Sequence, residues 1–137
     1  MADYSDDLHS LAVCIWREAR NQGLVGMQAV ASVIKNRVGA PGFPDTLHDV
    51  IYQKNGFSSM SRPSDPQYNL EPYGPTAAQA FVIATSTIDG TVIDPTEGAH
   101  YYANLKTMDK DGWFARNIVD SPQHPHTITL GQHDFFV

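Results

Sequence analysis

The spacing of apolar residues changes character once along this chain, and that change constrains the fold more than any composition figure. Leu8, Leu11, Ala12, Cys14, Ile15 and Ala19 recur at helical intervals, and Met27, Val30, Ala31, Val33 and Ile34 repeat the pattern. The last third is different. Ala99–Ala103, Thr127–Leu130 and His133–Val137 are short runs of aromatic and β-branched residues, and the last two flank Gly131-Gln132 as a hairpin would. Helices first and strands last excludes the strand–helix alternation of a parallel sheet. It predicts an α+β domain with a short antiparallel sheet near the C-terminus.

Start and stop signals sharpen this reading. Ser5 is the expected cap of the first helix, with Asp6 and Asp7 in its first turn, and Asn21-Gln22-Gly23 ends it. A second helix is expected from Leu24 to Val38, stopped by Gly39, and a third from Asp45 or Thr46 to Gln53. From Gly56 to Pro75 the chain is rich in Ser, Pro and Asn and reads as a long irregular segment, the kind that forms lids or clefts. A fourth helix runs from Pro75 to a stop at Gly90.

Composition removes several classes of function. With 137 residues, 42% of them hydrophobic, the chain makes one domain, residues 1–137, that buries about two-thirds of its unfolded surface. Cys14 is the only cysteine, so neither an internal disulfide nor a thiol-cluster zinc site is available. No apolar run reaches the roughly 18 residues of a membrane span. The acidic start, Met1 to Asp7, lacks the basic head and apolar run of a leader, so synthesis in the cytoplasm is expected. Nine Lys and Arg against fifteen Asp and Glu give a net charge of −6, which speaks against nucleic acid as a partner. Arg17, Arg20, Lys35 and Arg37 concentrate four of those cations, and solvated helix faces are the expected setting. A docking patch for an acidic polymer is the alternative.

Glu18 is the residue that stands out. On a helical wheel it falls among Leu11, Cys14 and Ile15, opposite His9, Ser10, Arg17 and Arg20. It also sits at the helix C-terminal end, where the dipole disfavours negative charge. Desolvation and dipole both favour the neutral acid, so a raised pKa is expected, as for a glycosidase general acid. The other arrangement is a buried pair with an arginine such as Arg37.

The string Ile15-Trp16-Arg17-Glu18-Ala19-Arg20, followed by Gly26-Met27-Gln28-Ala29-Val30-Ala31-Ser32-Val33-Ile34-Lys35-Asn36-Arg37-Val38, resembles the SleB-type cell-wall hydrolases, a family of spore-cortex-lytic enzymes and phage lysins. Gly42-Phe43-Pro44-Asp45-Thr46, Val50-Ile51-Tyr52-Gln53, Gly56-Phe57-Ser58, Gly98-Ala99-His100-Tyr101-Tyr102 and Thr127 to Phe136 match in the same order. The resemblance implies a small lysozyme-like domain with a glycan groove. It implies Glu18 as catalytic acid and cleavage between N-acetylmuramic acid and N-acetylglucosamine, mostly by lytic transglycosylation. Two positions depart from the pattern. Asn21-Gln22 replaces a frequent Gly-Glu, removing a second acid, and Gly56 replaces a Gln before Phe-Ser.

A hydrolase of this kind uses two carboxylates about 5 to 9 Å apart, whereas a transglycosylase needs one. Glu71 and Glu97 lie beside Pro or Gly in expected loops, so the absence of an evident partner favours the one-carboxylate route. Gln53, Phe57, Ser58, Tyr101, Tyr102 and His133 are the expected substrate contacts, with Tyr73 and Trp113 behind them. Tyr101 and Tyr102 are adjacent on a strand, so one should face inward and the other out. Among the histidines, His100 and His133 should close hydrogen bonds, and His124 and His126 should be solvated. No His-Glu-x-x-His spacing occurs, and no metal or cofactor is expected. The expected partner is the glycan strand of peptidoglycan, met by a monomer at the wall after release from the cytoplasm, as an endolysin would act. A zinc-dependent amidase or endopeptidase and a non-catalytic wall-binding module of a virion are the competing readings.

Overall fold

The computed structural model describes residues 4–137, without the side chains of Tyr4 and Ser5. The first helix already runs from Tyr4, so Ser5 lies within its first turn and not at the cap position expected of it. Five α-helices come first: α1 (Tyr4–Ala19), α2 (Gly23–Arg37), α3 (Leu47–Ile51), α4 (Ser58–Ser61) and α5 (Gly74–Ile88). The strands β1 (Tyr101–Ala103), β2 (His126–Leu130) and β3 (His133–Phe136) follow, with a π-helical turn at Ala115–Val119 between β1 and β2. The α+β order is the one the sequence predicts. The π turn and the four-residue α4 inside the irregular segment are additions to it.

α1 departs from the one-sided helix expected of it. Leu11 to Trp16 are all buried, because four helices, α2, α3, α4 and α5, pack against α1. A helix buried all round is central rather than peripheral. α2 is also buried on two sides. Met27, Val30, Ala31 and Ile34 join the main core with α1, while Ala29 and Val33 meet Ala99 and Phe135 of the sheet region. α2 is thus the spine between the helical and β parts. Its start needs glycine at Gly26, where a Cβ would fall 2.3 Å from the Gln22 Cβ.

The sheet has the order β1-β3-β2, antiparallel throughout. Leu130 pairs with His133 across a two-residue turn whose first residue, Gly131, has φ +58°, as hairpin turns of the primed type require. No helix among the described residues is long and apolar enough to cross a membrane.

Candidate active site

Residues Asn36 and Arg37 at the end of α2 dock the entry to β1. Asn36 Nδ2 donates to Ala99 O and to Asp94 Oδ2, each at 3.0 Å, and Arg37 Nε donates to His100 O at 2.7 Å. Asp94 in turn accepts from Thr96 N, Thr96 Oγ1 and Gly98 N, which folds the turn before β1. Burial alone would raise the Asp94 pKa, but the bonds from Thr96, Asn36 and Gly98 hold it below the usual carboxylate value. These contacts fix where Tyr101 and Tyr102 emerge.

Tyr102 emerges against Glu18. Its hydroxyl donates to Glu18 Oε1 at 2.5 Å, and Ser59 Oγ donates to Oε2 at 2.7 Å. Both carboxyl oxygens are thereby held, by residues 41 and 84 positions away. Burial, and then the charge of Glu18, push the Tyr102 phenol well above its ordinary pKa, so it stays a donor. Glu18 has no ion-pair partner among the described residues. Its possible pairing with Arg37 does not occur, because that guanidinium is turned to His100 O and lies against Phe57, Phe43 and Tyr101.

Glu18 and Tyr102 line a cleft of about 700 Å³. Gln53, Phe57 and Tyr101, also expected at the site, line it too, and so does Trp113. Both adjacent tyrosines reach it, contrary to the strict alternation expected, because β1 is a three-residue edge strand at the cleft margin. Ser58 is turned away, its Oγ donating to Asp65 Oδ2 at 2.5 Å, and the neighbouring Ser59 takes the place beside Glu18. His133 does not line the cleft either. Its ring packs on Tyr102 from behind, 4.9 Å between centroids. Tyr73 stands off the cleft, edge-on to Trp16.

Residues the sequence did not single out complete the wall: Phe43, Lys54, Asn55 and Phe114. Phe43 lies within a matched motif, Gly42 to Thr46, which was the available signal. Arg17 secures the far wall. Its Nη1 donates to Ser59 O at 3.0 Å and its Nε to Leu70 O at 2.9 Å, tying the 56–73 segment to α1. The expected solvated cluster of cations is therefore mostly engaged. Arg17 is bonded, Arg37 is buried, Arg20 lies over the Trp16 ring at 4.2 Å, and only Lys35 is fully exposed.

The histidines are placed only partly as expected. The His100 ring is hydrogen-bonded to the main chain of Asn36, whereas His133 makes no side-chain hydrogen bond among the described residues. His100 stacks on Phe43, as His133 packs on Tyr102. His124 is not simply solvated but contacts Val137 O at 2.7 Å through Nδ1, and His126 pairs with Asp134 at 3.0 Å. Among the described residues, no three His, Cys, Asp or Glu side chains are grouped to share a metal ion.

Burial holds the His133 imidazole below its ordinary pKa, with Glu18 and Asp134 opposing, and burial does the same at His100. The unfolded chain, titrating near 6.5, then takes up protons before the folded one does. Stability is full above that pH and is lost as the pH falls toward the folded values. The melting temperature should therefore drop between pH 7.5 and pH 5, and His133→Gln should flatten part of that drop. Thermal melts of both proteins across the range check it, and identical slopes would contradict it.

Fold and cleft together define a lysozyme-like α+β domain with a single carboxylate at the base of an open groove. Residues 21–136 match the cell wall hydrolase family, and the chain belongs to that family. It is similar to a spore cortex-lytic enzyme of Halalkalibacterium halodurans, 35% identical over 98% of this chain and 36% of that protein. A spore cortex-lytic enzyme of Bacillus subtilis is 31% identical over 96% of this chain and 37% of its own length. The chain thus spans little more than a third of these relatives. Among solved structures it is similar to the catalytic domain of the germination-specific lytic transglycosylase SleB from Bacillus anthracis. That likeness has a TM-score of 0.73 and 29% identity, over 96% of this chain and 94% of that one. The catalytic domain of the Bacillus cereus SleB protein also gives 0.73, at 28% identity over 97% and 91%.

Proposed function

We propose that this domain cleaves the bond between N-acetylmuramic acid and N-acetylglucosamine in peptidoglycan as a lytic transglycosylase, with Glu18 as its catalytic residue. The observation that carries this reading is that Glu18 is the one carboxylate lining the cleft, held on both oxygens by hydroxyls and without an ion-pair partner among the described residues. The likeness to the catalytic domain of the lytic transglycosylase SleB over nearly the whole chain supports it.

The steps follow from one carboxyl group. Protonated Glu18 gives its proton to the glycosidic oxygen as the bond to the muramic anomeric carbon breaks. The carboxylate left behind takes the proton of the muramic 6-hydroxyl, whose oxygen closes on that carbon. The product ends in a 1,6-anhydro ring, and no water is consumed. Intramolecular attack has a high effective concentration, which removes the need for a second acid to activate water. Tyr102 and Ser59 stabilise the carboxylate between the two transfers. Gln53, Phe57, Tyr101 and Trp113 offer polar and aromatic contacts along the strand, and we do not assign direct contacts to Ser58 or His133. In this reading the domain acts as a monomer on the glycan strands of the bacterial wall.

Digestion of purified sacculi followed by mass spectrometry tests the reading. Muropeptides with anhydro ends are the expected products. Reducing ends would indicate hydrolysis, free amines an amidase or endopeptidase, and no soluble product a binding module. In the same assay Tyr102→Phe should lower kcat roughly ten- to hundredfold, the worth of one charge-assisted hydrogen bond, with little change in KM. An unchanged kcat would remove Tyr102 from the mechanism.

A further inference from the structure

Arg37 presents the cleft with donors that the steps above do not use. It is 8% exposed, and it has no ion-pair partner among the described residues. It makes one hydrogen bond, from Nε to His100 O. Its guanidinium is fixed by three aromatic rings, Phe57 at 5.0 Å, Phe43 at 5.2 Å and Tyr101 at 5.6 Å. Among the described residues the buried side-chain polar atoms without partners are Ser32 Oγ and Gln67 Oε1. The terminal N–H groups of Arg37 are therefore not sealed in protein, and they open onto the cleft it lines. Lys54 stands on the same wall, so the cleft holds two cations against the single carboxylate of Glu18, in a chain of net charge −6.

A buried guanidinium is unfavourable while its donors go unused. Aromatic faces offset part of that cost but give its in-plane N–H groups no acceptor. A planar pair of anionic oxygens does, and arginine binds carboxylates in this forked way where lysine cannot. Resting on the glycan reading of the cleft, we infer that Arg37 is the receptor for a substrate carboxylate on the lactyl branch of muramic acid, either the lactyl carboxyl itself or one on the attached stem peptide. Neutral N-acetylglucosamine polymers carry no such group. Arg37 would therefore make the cleft select acidic muramic strands over chitin-like ones.

The test measures binding to Glu18→Gln protein, so that strands are held without turnover. The probes are peptide-free glycan strands with free lactyl carboxylates, the same strands amidated with carbodiimide and ammonia, and peptide-bearing strands with and without amidation. The free acid should bind at least about tenfold tighter than its amide. Adding Arg37→Met should bring that ratio to within about twofold, and Arg37→Lys should leave an intermediate ratio, since charge remains and the fork is lost. Peptide-bearing strands that bind as tightly as the free acid, and weaken on amidation, place the carboxylate on the stem. Peptide-bearing strands that bind like the amide place it on the lactyl group. Equal affinity for acid and amide in both the peptide-free and the peptide-bearing strands overturns the inference, and this comparison needs no change at Arg37, so it holds even if Arg37→Met fails to fold. If no strand binds in any form and sacculi yield no anhydro ends, the glycan reading itself fails and the inference falls with it.

Discussion

Glu18→Gln is expected to slow release of anhydro-muropeptides by about a thousandfold or more while leaving the fold intact. Positioned proton transfer contributes on the order of 10² to 10⁴ in rate, and here the same side chain makes two transfers in succession. The amide keeps the length and shape of the acid. Its oxygen still accepts from one of the two hydroxyls at Ser59 and Tyr102, and the other has to turn so that the new NH₂ finds an acceptor. Loss of a negative charge at the end of α1 favours the helix slightly. The melting temperature should therefore move by only a few degrees, which separates lost chemistry from lost structure. Lysis at the unaltered rate by a folded Glu18→Gln protein would end the proposed mechanism.

Trp16→Ala is expected to have the largest effect on stability. Trp16 is 1% exposed in the central helix, its Nε1 donates to Thr76 Oγ1 at 2.9 Å, and Arg20 covers its face. Truncation removes the ring, opens a cavity between α1 and α5, and strips Thr76 of its donor. Such changes cost about 3 to 5 kcal/mol. A domain of this size holds on the order of 5 to 15 kcal/mol in total, so the melting temperature should fall by roughly 10 °C or more. Thermal unfolding followed by circular dichroism measures it, and a shift of only a degree or two would show that α1 is packed less tightly than described.

The parts of this architecture that rest on local rules were legible in the sequence. The stop at Gly39 and the hairpin around Gly131 each follow from the conformational needs of one or two residues. The third helix was expected to begin near Asp45 or Thr46, and Thr46 stands as its cap, accepting from Asp49 N at 3.1 Å. What depends on which elements surround a helix was not legible. A wheel places Glu18 on an apolar face, yet it cannot tell that α1 is covered on several sides, nor that Tyr102 arrives from 84 residues away. The exchange of Ser58 for Ser59 has a similar cause. α4 is four residues long, too short for any periodicity to set its phase. Arg37 was legible as a partner for Glu18, a solvated cation or part of a docking patch for an acidic polymer, but its setting was not, because nothing local signals three aromatic rings gathered from three separate loops and strands.

The grip of Arg17 on the far wall has an evolutionary corollary. Its oxygen partners are main-chain ones, those of Ser59 and Leu70, with the Met60 sulfur beside them at 3.5 Å, so beyond Met60 the anchorage asks little of the side chains between them. The exposed positions Arg62, Pro63, Ser64, Pro66 and Asn69 are consequently free to drift in sequence while Asp65 keeps its bond from Ser58 and the hydroxyl of Ser59 stays seated on Glu18. That stretch is where a lineage could retune its choice of wall without disturbing the proton donor.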